Sequence, residues 1–337
     1  MRIEVVDPGG HAIGLAIGLV ELGHDVFYRG AERRAPAAGE IAQMRRELIG
    51  RFFGAQGDDA GERDLLVLVD TFADYINALE NGYCFGGKAP IRHPLQDDAG
   101  VLIYPHRLGY LLERASAHER VVVVDTSDLH APREVAFEMQ PHVQLFAREA
   151  GVGERWRPFP YLYNTAMLWL EYVCERSMWL TPSRDRRPCW DWVFCGTIDH
   201  SRYGGARLAA LEEVAAQWPQ ADGLVRAGVS FSAVVGTLQR ARSGLDLPGA
   251  GELCFRLHEC LALGVPVWRP FGRRLPLPDA LRSVVVRESR ELPDATAEQV
   301  REVYRQHYAP AAAAGYLLTK AYFQTSPATN IAMAAST

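Results

Sequence analysis

LLVLVD at residues 65–70 and VVVVD at residues 121–125 are apolar at every position until each ends on an aspartate. A strand with one face in water alternates apolar and polar side chains, so a run without alternation belongs to a sheet covered on both sides. The rest of the first half supplies the cover. Strand-like runs at 3–6, 25–28 and 101–105 alternate with helical patterns at 12–22, at 41–53, near Tyr75 and through Leu111. Strands alternating with helices predict βαβ units and parallel sheets.

Between about residue 150 and residue 190 the alternation stops, where RWRPFPYLY and TPSRDRRPCW bracket an aromatic helix predicted over 166–178. Proline clusters of this kind mark a domain crossing. Alternation then resumes, with strands predicted at DWVFCG, DGLVRAG, GLDL, VPVW and SVVVRE. Helices are predicted over 205–217, 232–242, 254–263 and, as one long stretch, 297–324. A chain of 337 residues exceeds one ordinary core. The expected organisation is α/β, with two Rossmann-like parallel-sheet domains facing a central cleft. They occupy residues 1–150 and 191–324, joined by a segment at 151–190 and followed by a tail at 325–337. Ligands of such sheets sit beyond the carboxyl ends of the strands.

Composition narrows the function classes. Apolar residues make up 48% and charged residues 23%, which is globular composition. A net charge of -5 gives no global attraction to nucleic acid or anionic lipid, although a local basic cleft is compatible with it. Cys84, Cys174, Cys189, Cys195, Cys254 and Cys260 form no CxxC pair and no disulfide framework, which predicts reduced thiols. No secretory pattern precedes the first strand, and no apolar stretch approaches the roughly 20 residues a spanning helix needs. A soluble, cytoplasmic protein without a membrane partner is the expectation.

LPGAGELCFRLHECLALGVPVW, residues 247–268, reads as strand end, glycine loop, helix, glycine stop and strand. Gly249 and Gly251 let backbone N–H groups approach a ligand, and the helix that follows offers its positive end to an anion. Arg256 and Glu259 are three residues apart and share a face, while Leu257 and Leu261 mark the apolar face. An arginine for phosphate and a carboxylate for sugar hydroxyls suit a nucleotide sugar. The competing reading is a surface ion pair on an ordinary βαβ unit. In VFCGTIDHSRYGGARLAAL a strand ends at Gly196, and Arg207 falls in the first helical turn, where the macrodipole disfavours a cation unless an anion compensates. Arg207, or Arg202 in the preceding loop, is a diphosphate-ligand candidate; both are otherwise solvated arginines.

DPGGHAIGLA, residues 7–16, opens the first helix. Its glycines serve the turn, Gly14 and Gly18 let the helix approach the sheet, and Gly23 stops it. His24 starts the next strand and is read as structural. His11 is not required by a turn, and an imidazole of unperturbed pKa about 6.5 suits proton transfer. Capping the helix or binding a phosphate are the other readings. Asp125 and Asp128 are three apart, whereas a metal-binding carboxylate pair on such a strand is spaced one residue apart. They are read as cleft residues that contact an acceptor or cap the next helix, as is Asp70. Trp156, Phe159, Tyr161 and Tyr163, with GYCFGGKAPIRHP at 82–94, line an acceptor site or belong to core and loop.

FRLHECLALGVP resembles the donor-binding motif FRxxExLAxGxP of GT-B glycosyltransferases, especially bacterial ones related to the exostosin group, through Phe255, Arg256, Glu259, Leu261, Ala262, Gly264 and Pro266. The Gly196–Arg207 region resembles the opening of their carboxyl-terminal domain, and the first helix with its histidine and GHDV resembles their amino-terminal one. The resemblance implies a GT-B fold, ribose contacts from Glu259, and a Gly249, Gly251 and Glu252 loop facing the donor sugar and diphosphate. Many retaining members carry a glutamate eight residues before the second, where this chain has Gly251, with Glu252 one residue closer. In inverting members a histidine placed like His11 deprotonates the acceptor; in a retaining enzyme His11 loses that task. The implied activity is metal-independent transfer of a sugar from a nucleotide diphosphate donor such as a UDP-sugar to an acceptor hydroxyl, with no cofactor beyond the donor. Two rivals remain, a nucleotide-sugar epimerase of the same architecture and a non-catalytic nucleotide- or sugar-binding module. Glycosylation of modified DNA bases is a variant that the acidic charge disfavours.

Overall fold

The computed structural model describes residues 1–30, 40–54, 61–70, 104–126, 140–148, 155–174, 188–198, 206–247, 254–270, 277–287, 292 and 294–322. They build two sheets, parallel throughout. The first comprises Arg2–Asp7 (β1), Asp25–Gly30 (β2), Leu65–Asp70 (β3), Val121–Asp125 (β4), Val143–Ala147 (β5) and Trp156–Pro158 (β6), ordered β2-β1-β3-β4-β5-β6. The second comprises Trp190–Cys195 (β7), Gly223–Arg226 (β8), Ala241–Leu245 (β9), Val267–Arg269 (β10) and Val285–Arg287 (β11), ordered β11-β10-β9-β7-β8. The helices are Ile13–Glu21 (α1), Glu40–Phe53 (α2), Tyr104–Ser116 (α3), Thr165–Tyr172 (α4), Ala206–Gln217 (α5), Phe231–Leu238 (α6), Phe255–Leu263 (α7), Ala297–His307 (α8) and Pro310–Tyr322 (α9). The α/β class and both expected parallel sheets are present. LLVLVD and VVVVD are neighbours at the centre of the first sheet and buried at every position. No described helix is long and apolar enough to cross a membrane.

The aromatic helix expected over 166–178 ends at Tyr172, with Val173 and Cys174 outside it, and four further elements differ from the sequence reading. Tyr104 and Pro105, expected at the end of a strand, open α3, whose first turn tolerates a proline because its N–H would have no partner there. RWRP belongs to the first sheet: β6 pairs with β5, and Pro158 sits on this edge strand, where a missing donor costs little. The helix expected over 232–242 ends at Leu238, and β9 begins at Ala241. Its polar Ser243 is buried because the hydroxyl donates to the Asp191 carbonyl at 2.8 Å, a partner periodicity cannot reveal. The long carboxyl-terminal helix is two, divided before Pro310.

That break returns the chain to the first sheet. Gly14 and Gly18 allow a close approach, but to Tyr163 and to the Pro310 carbonyl of α9 rather than to the sheet. A Cβ at either glycine would overlap those atoms. One apolar cluster consequently runs from Ile3 and Val5 in β1, through Phe159, Tyr163 and Tyr308, to Leu257 in α7 and Val267 in β10. Parallel strands place all their carboxyl ends on one edge of each sheet, and the polar groups gather there.

Candidate functional site

The carboxyl edge of the first sheet is built around three aspartates that end adjacent strands: Asp7, Asp70 and Asp125, all buried. Asp70 and Asp125 lie opposite each other in the β3–β4 register. Asp7 organises the turn before α1. Its Oδ1 accepts from the His11 backbone N–H at 2.8 Å, and its Oδ2 accepts from the Ala12 N–H at 2.6 Å and the Tyr28 hydroxyl at 2.7 Å. Nothing in the sequence patterning singles out Asp7; the only signal is its place at a strand end before a glycine turn. Gly10 closes that turn at φ 73°, donating to the Asp7 carbonyl at 3.1 Å.

His11 projects from the turn into this group. A Cβ on Gly9 would meet the imidazole and lie 3.2 Å from Asp70 Oδ1, so ring and carboxylate converge over a glycine. Among the described residues no hydrogen bond engages its ring. Although the residue keeps contact with solvent, crowding by the surrounding protein lowers its pKa from the ordinary 6.5, with Asp7 and Asp70 opposing and Arg148 and Arg45 reinforcing the shift. The result is an imidazole that is uncharged near neutrality with a carboxylate beside it, which is the state a general base requires. Asp125 is tied into the same rim: its carbonyl accepts from the Arg148 N–H at 2.9 Å, and the Asp70 carbonyl accepts from the Thr126 N–H at 2.8 Å. Asp128 lies outside the described residues.

The second sheet presents a different edge. Gly196 follows β7, and its N–H donates to the Arg226 carbonyl at 2.9 Å. Arg207, in the first turn of α5, donates to the Thr197 carbonyl at 2.6 Å and reaches Cys254 Sγ, at the N-cap of α7, at 3.8 Å. One guanidinium thereby joins the amino-terminal ends of α5 and α7 beside the end of β7. Arg202, Gly249, Gly251 and Glu252 lie outside the described residues.

Arg256 and Glu259 form an ion pair on α7, as the simpler sequence reading has it, but with Glu259 buried and the Arg256 side chain only 11% exposed. Arg256 also donates to the Cys195 carbonyl. Burial opposes the charge on Arg256, but Glu259, Cys260, Cys195 and Asp246 together outweigh it, leaving the guanidinium pKa above its ordinary value. Glu259 Oε1 accepts from Asn164 Nδ2 at 2.5 Å. A second buried pair, Asp246 and Arg269 at 3.1 Å, ends β9 and β10 on the same edge. Leu257 and Leu261 are fully buried, as the helical spacing requires.

Trp156, Phe159, Tyr161 and Tyr163 are core rather than acceptor lining. All are buried, and Tyr163 donates to the Tyr308 carbonyl at 2.7 Å. Burial pushes the Tyr163 phenol well above its ordinary pKa, so it stays protonated. The five described cysteines are free thiols, and burial raises Cys195 and Cys260. Among the described residues no group of three His, Cys, Asp or Glu is arranged to hold a metal. A polar cavity of about 640 Å³ opens elsewhere, near the amino-terminal ends of β3 and β4. Its arginines face a similar number of carboxylates, and its buried Glu4 is already gripped by Arg29, at 2.6 Å, and by Arg114.

No model of a known protein family matches the chain, and no curated protein matches it in sequence. Among solved structures, a Staphylococcus aureus MnaA–UDP co-structure is 10% identical, with a TM-score of 0.33 and coverage of 96% of each chain. A UDP-N-acetylglucosamine 2-epimerase is 12% identical with a TM-score of 0.33, covering 96% of this chain and 95% of that one. A Methanocaldococcus jannaschii UDP-GlcNAc 2-epimerase in complex with UDP-GlcNAc and UDP is 9% identical with a TM-score of 0.32, covering 96% of this chain and 100% of that one. The chain is an α/β protein of two parallel, Rossmann-like sheets.

Proposed function

We propose that the protein is an enzyme acting on a nucleoside diphosphate sugar, and that it converts the sugar of that compound rather than passing it to an acceptor. Arg207 is the observation that carries the nucleotide reading: a cation set between the starts of two helices, whose macrodipoles favour a diphosphate at the end of β7. The first sheet supports the choice of reaction. Inversion by proton exchange takes a base that removes the proton from one face while the C–H electrons form a double bond and the C–O bond to the diphosphate breaks. It also takes an acid that delivers a proton to the opposite face when the diphosphate adds back. His11, Asp70 and Asp125 gather groups able to do this at one sheet edge. Arg148 and Arg45 would balance the charge that develops there. Glycosyl transfer with His11 as base is the second reading, favoured by the FRxxExLAxGxP resemblance; the burial of Trp156, Phe159, Tyr161 and Tyr163 removes the aromatic residues that would have received an acceptor.

The test is incubation with UDP-N-acetylglucosamine and other nucleotide sugars in D2O, without acceptor, followed by NMR. Conversion predicts a second sugar isomer carrying solvent deuterium at the inverted carbon. A transferase leaves the sugar unlabelled until an acceptor is added. A ligand that binds only the folded protein raises its melting temperature. Absence of a shift with every nucleotide sugar tried would remove both readings.

A further inference from the structure

Asn164 stands between the segment leaving β6 and the first residue of α4, and each of its polar groups on the helix side is engaged. Its Oδ1 caps the helix, accepting from the Ala166 N–H at 2.8 Å and the Met167 N–H at 3.4 Å. The cap fixes the amide's orientation and leaves Nδ2 to donate to Glu259 Oε1 at 2.5 Å. Its backbone N–H donates to His258 Nδ1 at 2.9 Å. A backbone N–H can only donate, so the His258 ring proton sits on Nε2, 3.1 Å from the Tyr304 hydroxyl, which in turn donates to Glu171 Oε2 at 2.9 Å. His258 and Glu259 are consecutive on α7. One residue outside that helix thus locks the first and aims the second.

We infer that Asn164 is a positioning residue for Glu259, holding its carboxylate in the orientation that receives the nucleotide; the inference rests on the nucleotide-sugar reading above. With Arg256 as sole partner, the carboxylate would be able to turn both oxygens onto the guanidinium. Asn164 draws Oε1 aside and leaves Oε2 to Arg256, which fixes the carboxylate plane. Asn164 is itself anchored by the core that spans both sheets, because Leu162 N–H donates to the Tyr308 hydroxyl at 3.2 Å and the Tyr163 hydroxyl to the Tyr308 carbonyl. The orientation of Glu259 is therefore set from the connection between the sheets.

Asn164→Asp is the discriminating variant. It keeps a capping oxygen but turns a carboxylate toward Glu259. At pH 8 it should bind UDP-N-acetylglucosamine at least tenfold more weakly than wild type by calorimetry. Near pH 5.5 affinity should recover, as one shared proton restores the hydrogen bond. The difference from wild type is what counts, since the titratable and charged groups that act on Glu259 or on its neighbours, namely Arg256, Cys195, Cys260, Asp246, His258 and Glu171, are the same in both proteins. Without ligand, the melting temperature of Asn164→Asp should fall relative to wild type as pH rises from 5.5 to 8. The pair Asn164→Asp with Glu259→Gln, which reverses the bond's polarity, should recover it. A variant with wild-type affinity at pH 8, or with a melting temperature that follows wild type across this range, overturns the inference. Failure of the wild type to bind the probe defeats the nucleotide-sugar reading instead, and the ligand-free melting series still decides whether Asn164 controls Glu259.

Discussion

At the scale of single residues, the proton chemistry of His11 is set by crowding from the folded protein, by Asp7 four residues before it, and by Asp70, Arg148 and Arg45 from elsewhere in the chain. The folded protein lowers its pKa below 6.5, so the native state binds that proton less readily than the unfolded chain. Stability is accordingly full above pH 6.5 and declines as pH falls through the unfolded value towards the folded one. In His11→Ala the loss of melting temperature between pH 7 and pH 5 should be smaller than in wild type, and an equal loss would show that another group governs acid sensitivity. In the same variant turnover of the nucleotide sugar should fall by about 10²–10⁴-fold, the usual worth of a positioned acid-base group. The acid limb of the wild-type kcat/KM profile should lie below pH 6.5. Near-normal turnover would remove His11 from the chemistry.

Among the elements, the α1–α9 pair shows how one residue type carries opposite instructions. Gly18 faces the Pro310 carbonyl with no space for a methyl group, whereas nothing lies within 4 Å of a Cβ added at Gly315 in α9. Gly18→Ala should destabilise by about 1–3 kcal/mol through overpacking. Gly315→Ala should stabilise by up to about 1 kcal/mol through helix propensity. Urea denaturation midpoints measure both, and equal shifts would mean that the helices do not pack as described. The sequence pattern reveals two glycines one helical turn apart in α1, and a close approach follows. It cannot reveal that the approaching partner is a proline carbonyl almost 300 residues away along the chain.

For the whole molecule, the shared apolar cluster makes each sheet dependent on the other. Helix α9 covers α1 beside the first sheet, although it follows the last strand of the second. A chain ending at Ala309 should expose Ile13 and Ile17 on α1, lose at least several degrees of melting temperature and bind a hydrophobic dye. An unchanged transition would mean that the first sheet is complete without its carboxyl-terminal cover. The expected boundary near residue 150 misses β6, because a three-residue strand containing a proline carries little pattern of its own.

The sequence alone determined the α/β class, the parallel central strands, the helix α7 with its Arg256–Glu259 face, and the singular position of His11. Those features are local: periodicity, glycine turns and three-residue spacing are fixed by backbone geometry within one element. Tertiary structure alone decided that the Tyr28 hydroxyl reaches Asp7 and that Asp70, Arg148 and Arg45 surround His11. It also placed Tyr161 and Tyr163 in the core and Asn164 against Glu259. Each of these depends on which chain segments become neighbours across a sheet edge, and burial and hydrogen-bond satisfaction act on neighbours in space rather than on neighbours in sequence.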